Sequence, residues 1–391
     1  MSEKIEYQGP AFFSDGFRPF FFSAAMLAGL VIPTWVLILN GATNISFLYA
    51  PREWHVHEMV FGFLPCVMTG FLLTAIPNWT DRPPLKGMPL FGLWVVWLLG
   101  RLAMAAPAIS PLVVALVDSA FLIVMAGIVW REIVLGSAWN RLPIGVVMSL
   151  YAGANIFFHT LLWNDHAIDV SARIGLALIM FLLALIGGRV TPSFTEDFLD
   201  ENSIGKQPAP FSRFDGLSIA FIGIAAVAWV LQPQAIGTGY ALVIAGFINL
   251  ARLGRWYGWT TWREPLVLIL HIGYGWLAMA LLILGSSILG VGLPLEDAVH
   301  ALTTGAVGVM TLAVMSRASL GHTGRAKHAG PLTVLIYILV NSGALLRVFG
   351  PSIPLSGNLM LDLSAICWSG AYILFVVGYG PILFRPSLDE S

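Results

Sequence analysis

Apolar stretches about 20 residues long follow one another from residue 19 to residue 384, and they constrain this chain more than any motif in it. A helix needs about 20 apolar residues to cross the hydrocarbon core of a bilayer, where a spanning backbone must satisfy its own N–H and C=O groups. Twelve such segments are predicted, at 19–40, 57–77, 88–106, 110–130, 142–163, 170–188, 214–232, 237–251, 264–288, 296–316, 331–349 and 359–384. Pro107, Pro111, Pro294 and Pro351 punctuate the junctions. Only 10% of the residues are charged, against roughly 25% in a soluble domain, so lipid is the solvent. The expected fold is an all-α polytopic membrane protein of twelve transmembrane helices, forming a single integral membrane domain over residues 1–391.

The basic residues give the orientation and test the count. With both termini cytoplasmic, all but four of the 20 Lys and Arg residues fall on the inside, leaving Arg52, Arg101, Arg173 and Arg347 at outer ends. One miscounted span would reverse every later loop and erase this asymmetry. The opening MSEKIEYQGPAFFSDGFR has no cleavable-signal pattern, so the first apolar run is expected to be retained as a span. A formal net charge of −1 with no polybasic run argues against a nucleic-acid partner. Cys66 and Cys367 both lie in apolar segments, which argues against a stabilising disulfide.

The stretch PREWHVHEM at residues 51–59 places two histidines and a glutamate where the second span begins. Once the chain is oriented, His55, His57, His159 and His300 come from three helices and share one depth, within ~8 Å of the outer boundary by the helical rise. His271 enters from the other side and lies at ~12 Å depth in the cytoplasmic half. Ionisable groups are costly inside a membrane and mark functional sites, and imidazole suits copper, iron and zinc. A metal set of His55, His57, His159 and His300 is therefore expected. On an ideal helix His55 and Glu58 share a face, while His57 stands about 200° from His55. The two histidines then cannot serve one small ion unless the entry turn is distorted, and ligands to two different centres is the alternative. Glu58 neutralises Arg52, orients a histidine, or carries a proton as a catalytic residue; Asp118 and Asp297 are further proton carriers. His166 and His328 read as polar anchors.

PREWHVHEMVFGF running to GFLLTAIPNWT (51–80), GGRVTPSFT (187–195) and MSRASLGHTGR (315–325) resemble the NnrS family, and the resemblance covers essentially the whole chain. These are multi-pass bacterial membrane proteins linked to the nitric oxide response and reported to carry haem and copper. The resemblance implies a location in the bacterial inner membrane, copper and haem as cofactors, and nitric oxide as ligand. The haem would be haem b, held non-covalently, because the chain has no CxxCH attachment motif. His57, His271 and His300 are then the cofactor-binding histidines, and Arg189, Arg317 and Arg325, on tight inner-face turns, are donors to haem propionates. Such a chain would bind nitric oxide, or reduce it as a membrane oxidoreductase with electrons from a quinol or a soluble donor. The alternatives are a secondary transporter, which has a similar helix count but is expected to keep its polar residues near the midplane, and a haem- or copper-handling protein.

Overall fold

The computed structural model describes residues 7–353 and 358–388; Lys4 and both termini, which bear on the orientation, lie outside them. Twelve helices are long and apolar enough to cross a membrane, and no strand forms among the described residues. They are span 1 (Phe17–Leu39), span 2 (Pro51–Thr80), span 3 (Met88–Ala105), span 4 (Pro111–Leu135), span 5 (Trp139–Trp163) and span 6 (Asp169–Glu201). Span 7 (Arg213–Leu231), span 8 (Ile236–Gly254), span 9 (Pro265–Ile288), span 10 (Leu295–Gly321), span 11 (Pro331–Ser352) and span 12 (Leu359–Phe384) complete the set. If the charge rule gives the sidedness, a topology reporter inserted at 41–46 will be active only in its periplasmic form. One inserted at 82–86 will be active only in its cytoplasmic form; the opposite pair of results would invert the orientation.

Two compact units divide the chain. The first runs through Gly175 and includes Ala318–Arg325 and the chain from Val376 onward. The second comprises Leu176–Arg317 and Ala326–Phe375. Within the second, spans 8 and 9 pack backbone to backbone: a Cβ on Gly285 would stand 2.7 Å from the Gly239 carbonyl oxygen. Small residues at such a crossing let helices associate by packing alone, which lipid otherwise does not drive.

Spans 2, 6 and 10 are the longest of the twelve, at 30, 33 and 27 residues, and each is interrupted by a wide π-helical turn. These turns cover Glu58–Phe63, Leu183–Gly187 and Ala301–Val307. Widening a helix displaces carbonyls from the regular ladder, and inside a membrane each needs another donor. In span 2 the Tyr151 hydroxyl donates to the Val60 carbonyl (2.6 Å) and Trp97 Nε1 to that of Gly62 (3.1 Å). In span 6 the buried Arg252 donates to the carbonyls of Ala184 (2.9 Å) and Gly188 (3.3 Å). In span 10 Trp368 Nε1 donates to Thr304 (3.2 Å) and the Tyr372 hydroxyl to Gly308 (3.2 Å). A glycine at or beside each turn, Gly62, Gly188 or Gly308, leaves room for the flat side chain of Arg101, Arg252 or Trp368.

The second of these turns corrects one expectation. GGRVTP is not a tight turn at the end of span 6; the helix continues over Gly188–Glu201 with Pro192 inside it. Pro192 has no N–H to give the carbonyl four residues back, which is that of Gly188. Arg252 supplies the missing donor, so the helix survives its proline. The companion motif LGHTGR does turn, with Gly324 at φ 68°.

Candidate metal centre

The wide turn of span 2 begins at Glu58, directly after His57, and both side chains are buried, at 0% and 2% exposure. Facing them are Arg101 from span 3, Asp118 from span 4, and Asn155 and His159 from span 5, all buried. Asp118 is the hub. Its Oδ2 lies 3.1 Å from His57 Nε2 and 3.0 Å from His159 Nε2, and accepts from Asn155 Nδ2 at 2.8 Å. Its Oδ1 accepts from Arg101 Nη2, while Arg101 Nη1 donates to Glu58 Oε1 at 2.6 Å. Asn155 precedes His159 by four residues, so one face of span 5 presents both.

Charge and donor geometry define what the cluster can hold. With both imidazoles neutral, as metal ligation requires, two carboxylates and one guanidinium leave a net negative charge in a site shut off from water, which a bound cation offsets. His57, Asp118 and His159 each offer a ligand atom, all within 4.8 Å of one another. Tetrahedral ligands with bonds of ~2.1 Å stand about 3.4 Å apart, close to the separations from Asp118 to the two imidazole nitrogens. The partners behind the ring nitrogens also suit a metal. Tyr49, in the loop before span 2, lies with its hydroxyl 2.9 Å from His159 Nδ1. Burial, and then the nearby Asp118 carboxylate, push that phenol up to about 12, so it stays protonated in the physiological range. His57 Nδ1 is a buried polar atom with no hydrogen-bond partner, 3.6 Å from Glu58 Oε1. When an imidazole binds a metal through Nε2 its proton sits on Nδ1, and an oxygen there fixes the ring. Tyr49 is that oxygen for His159, while Glu58 Oε1 stands beyond hydrogen-bond distance of His57 Nδ1.

The other expected residues lie elsewhere. His55 stacks on Trp35 with ring centroids 5.0 Å apart and is separate from the cluster. His300 belongs to the second unit, where its Nδ1 lies 2.5 Å from the Glu296 carbonyl oxygen. His271, also in the second unit, lies with Nε2 2.8 Å from the Thr195 hydroxyl. Arg189 is exposed near the Phe211 ring, Arg317 lies over the Phe194 ring at 3.9 Å, and Arg325 donates to the Thr323 carbonyl in the first unit. Glu58 is paired with Arg101 and not with Arg52, which reaches Asp169 at 2.7 Å on the surface. Asp297 is paired with Arg347 at 2.6 Å. Asn155 and Tyr49 carry no expectation from the sequence, and Arg101 only its place near an outer end. A lone Arg in span 3 and a lone Asp in span 4 are the signal for Arg101, since opposite charges in consecutive spans find each other.

The steric role of Gly62 is directly testable. A Cβ at position 62 would run into the Arg101 guanidinium. Gly62→Ala is therefore expected to displace Arg101 from Glu58 and Asp118 and to cost about 1–3 kcal/mol, seen as a lower melting temperature of the purified protein. Gly92→Ala, where a Cβ meets nothing within 4 Å, is the control and should leave melting unchanged.

Fold and site together define a polytopic all-helical membrane protein with a buried cluster of two histidines and a carboxylate inside its first unit. The chain belongs to the NnrS family, described as NnrS protein, which matches residues 11–387. Comparison with curated proteins gives no match. Membership makes it a membrane protein of the nitric oxide response.

Proposed function

We propose that the His57–Asp118–His159 cluster holds copper and that the protein uses a metal centre within the bilayer to bind nitric oxide. The observation that carries this is the completeness of the cluster. Three ligand atoms converge, the charge is negative once both imidazoles are neutral, and each imidazole has an oxygen on its far side. Imidazole nitrogen with a carboxylate suits copper, iron or zinc, and the family resemblance favours copper. Nitric oxide is small, neutral and lipid-soluble, so it reaches such a centre without a polar channel. Copper, when bound, supplies a Lewis-acidic site for the gas. The chain's own residues fix the ligands: Asn155 and Arg101 hold Asp118, Glu58 stands behind His57 and Tyr49 behind His159. In this reading Glu58 orients a ligand, and its bond to Arg101 takes up the charge that a proton carrier would need to exchange.

Haem b is the second proposed cofactor, with His300 as its axial ligand. Ligating histidines commonly donate Nδ1–H to a carbonyl, and His300 has the Glu296 carbonyl 2.5 Å from its Nδ1. His271 fits less well, since Nε2 faces Thr195 and Nδ1 adjoins the substituted ring carbon, which crowds a macrocycle. Protein purified from cells supplied with haem is expected to give a b-type pyridine haemochrome spectrum, diminished in His300→Ala and retained in His271→Ala. A colourless preparation would remove the haem and favour a transporter.

A further inference from the structure

The side chains of the His57–Asp118–His159 cluster are all buried. Phe61 and Phe158, also buried, lie against the His57 ring at 5.5 and 4.9 Å between centroids. Tyr49, which bonds His159, is only half-buried. It belongs to the segment 42–50 that joins spans 1 and 2, beyond Gly41 with its φ of 67°. Residues 44–46 of that segment are exposed. Among the described residues, no backbone–backbone hydrogen bond involves residues 43–49. Three side chains hold the segment down instead. Phe47 stacks flat on Trp54, with centroids 3.9 Å and planes 5° apart. Leu48 packs with Phe47 and Tyr49 on an apolar patch that includes Trp54, Ala103 and Val114. The Tyr49 hydroxyl lies 2.9 Å from His159 Nδ1. Closure also has a cost, since Trp54 Nε1 is buried without a hydrogen-bond partner that water would supply. A segment held by few side chains and no backbone ladder opens locally, well below the free energy of global unfolding.

We propose that residues 42–50 are a strap that lifts and recloses as one piece, and that a metal ion enters and leaves the cluster beneath it. The proposal rests on the metal reading given above. Nitric oxide dissolves in lipid and needs no such gate. An ion does, because entering hydrocarbon would strip its water, so it has to come from the aqueous face where spans 1 and 2 join. Lifting the strap withdraws Tyr49 from His159 and bares a path to the Asp118 carboxylate, 3.0 Å beyond that ring. Phe47 pins the strap without belonging to the ligand set. Weakening its hold therefore speeds entry and exit by the same factor and leaves the affinity where it was. Loss of the aromatic stack sets that factor at roughly ten.

The test uses the full chain in lipid nanodiscs, loaded with copper(I) and challenged with a saturating, membrane-impermeant chelator such as bathocuproine disulfonate. Phe47→Ala is expected to release copper roughly tenfold faster than wild type, to take it up faster by the same factor, and to keep the equilibrium affinity. Val129→Ala, a cavity in the buried core roughly 16 Å along span 4 from Asp118, should leave both rates unchanged. A metal-free arm reads the strap alone. Ala103→Cys, in a Cys367→Ser background, places a thiol in the patch on which the strap packs. Adding Phe47→Ala should speed its reaction with a water-soluble maleimide, again roughly tenfold. Wild-type release and uptake rates in Phe47→Ala, with copper bound normally, would overturn the gate and leave the metal centre standing. An acceleration shared by Val129→Ala, or labelling that Phe47→Ala leaves unchanged, would overturn the gate as well. Wild-type protein that binds no metal would overturn the centre, and the gate with it.

Discussion

Arg101→Met is expected to be the most damaging single substitution in the first unit, costing about 3–5 kcal/mol of stability. Among the described residues Arg101 is the only guanidinium bonded to both Glu58 and Asp118, and all three groups are buried. Removing it leaves two carboxylates facing each other in a low-dielectric interior, with no cation bonded to both. The second substitution Glu58→Gln, added to Arg101→Met, restores the original net charge of the cluster and should recover most of the loss. Arg52→Met removes an ion pair to Asp169 whose side chains are 55% and 48% exposed, so it should cost at most about 1 kcal/mol. Thermal or denaturant unfolding of the four purified proteins, followed by circular dichroism, gives the comparison. If Arg101→Met unfolds like the Arg52 variant, the cluster is not held by charge pairing.

The second large effect concerns metal affinity. His159→Ala removes a ligand atom, and Asp118→Asn replaces an anionic ligand by a neutral one; each should weaken copper binding by a hundredfold or more. Tyr49→Phe touches no metal ligand atom but removes the oxygen behind His159, and loss of such a partner lowers affinity by about 10–100-fold. His55→Ala, which unstacks a ring from Trp35, should leave affinity unchanged. Copper titration of apo-protein against a competing chelator reads all four. A set of variants that lose affinity equally, His55→Ala included, would point to general unfolding instead of a site.

Much of the fold is legible in the sequence because membrane solvation is severe. A missing or extra span would disturb both the hydropathy and the charge asymmetry, and twelve helices form where twelve apolar runs stand. Span 6 is the informative departure. Its apolar run stops near residue 188, and the helix goes on to Glu201, because Arg252, 64 residues beyond Gly188, caps the Gly188 carbonyl that Pro192 leaves bare. No local pattern reveals a donor so far along the chain.

The site was legible by half. His57 and His159 come together, with ring centroids 5.1 Å apart, as their common depth suggested. Depth says nothing about azimuth, but the ideal helical angle does, and His55 faces Trp35 on the other side of the helix from His57, as the angle of about 200° between them implies. The ideal angle fails for Glu58, expected on the face of His55, since the wide turn begins there and brings Glu58 to Arg101 beside His57. Such a turn is a response to packing: Tyr151, Trp97 and Arg101, from two other spans, stabilise it.

The central claim is that the His57–Asp118–His159 cluster is a metal centre, and metal analysis tests it most directly. Wild-type protein, purified from copper-supplied cells and freed of loosely bound ions, should carry about one copper per chain by inductively coupled plasma mass spectrometry. His57→Ala and His159→Ala, shown to be folded by circular dichroism, should carry less than about a tenth of that. Iron or zinc at the same stoichiometry, lost in the same variants, would keep the centre and change its metal. Copper content that is equal in wild type and both variants, or absent from all three with no other metal in its place, would contradict the account.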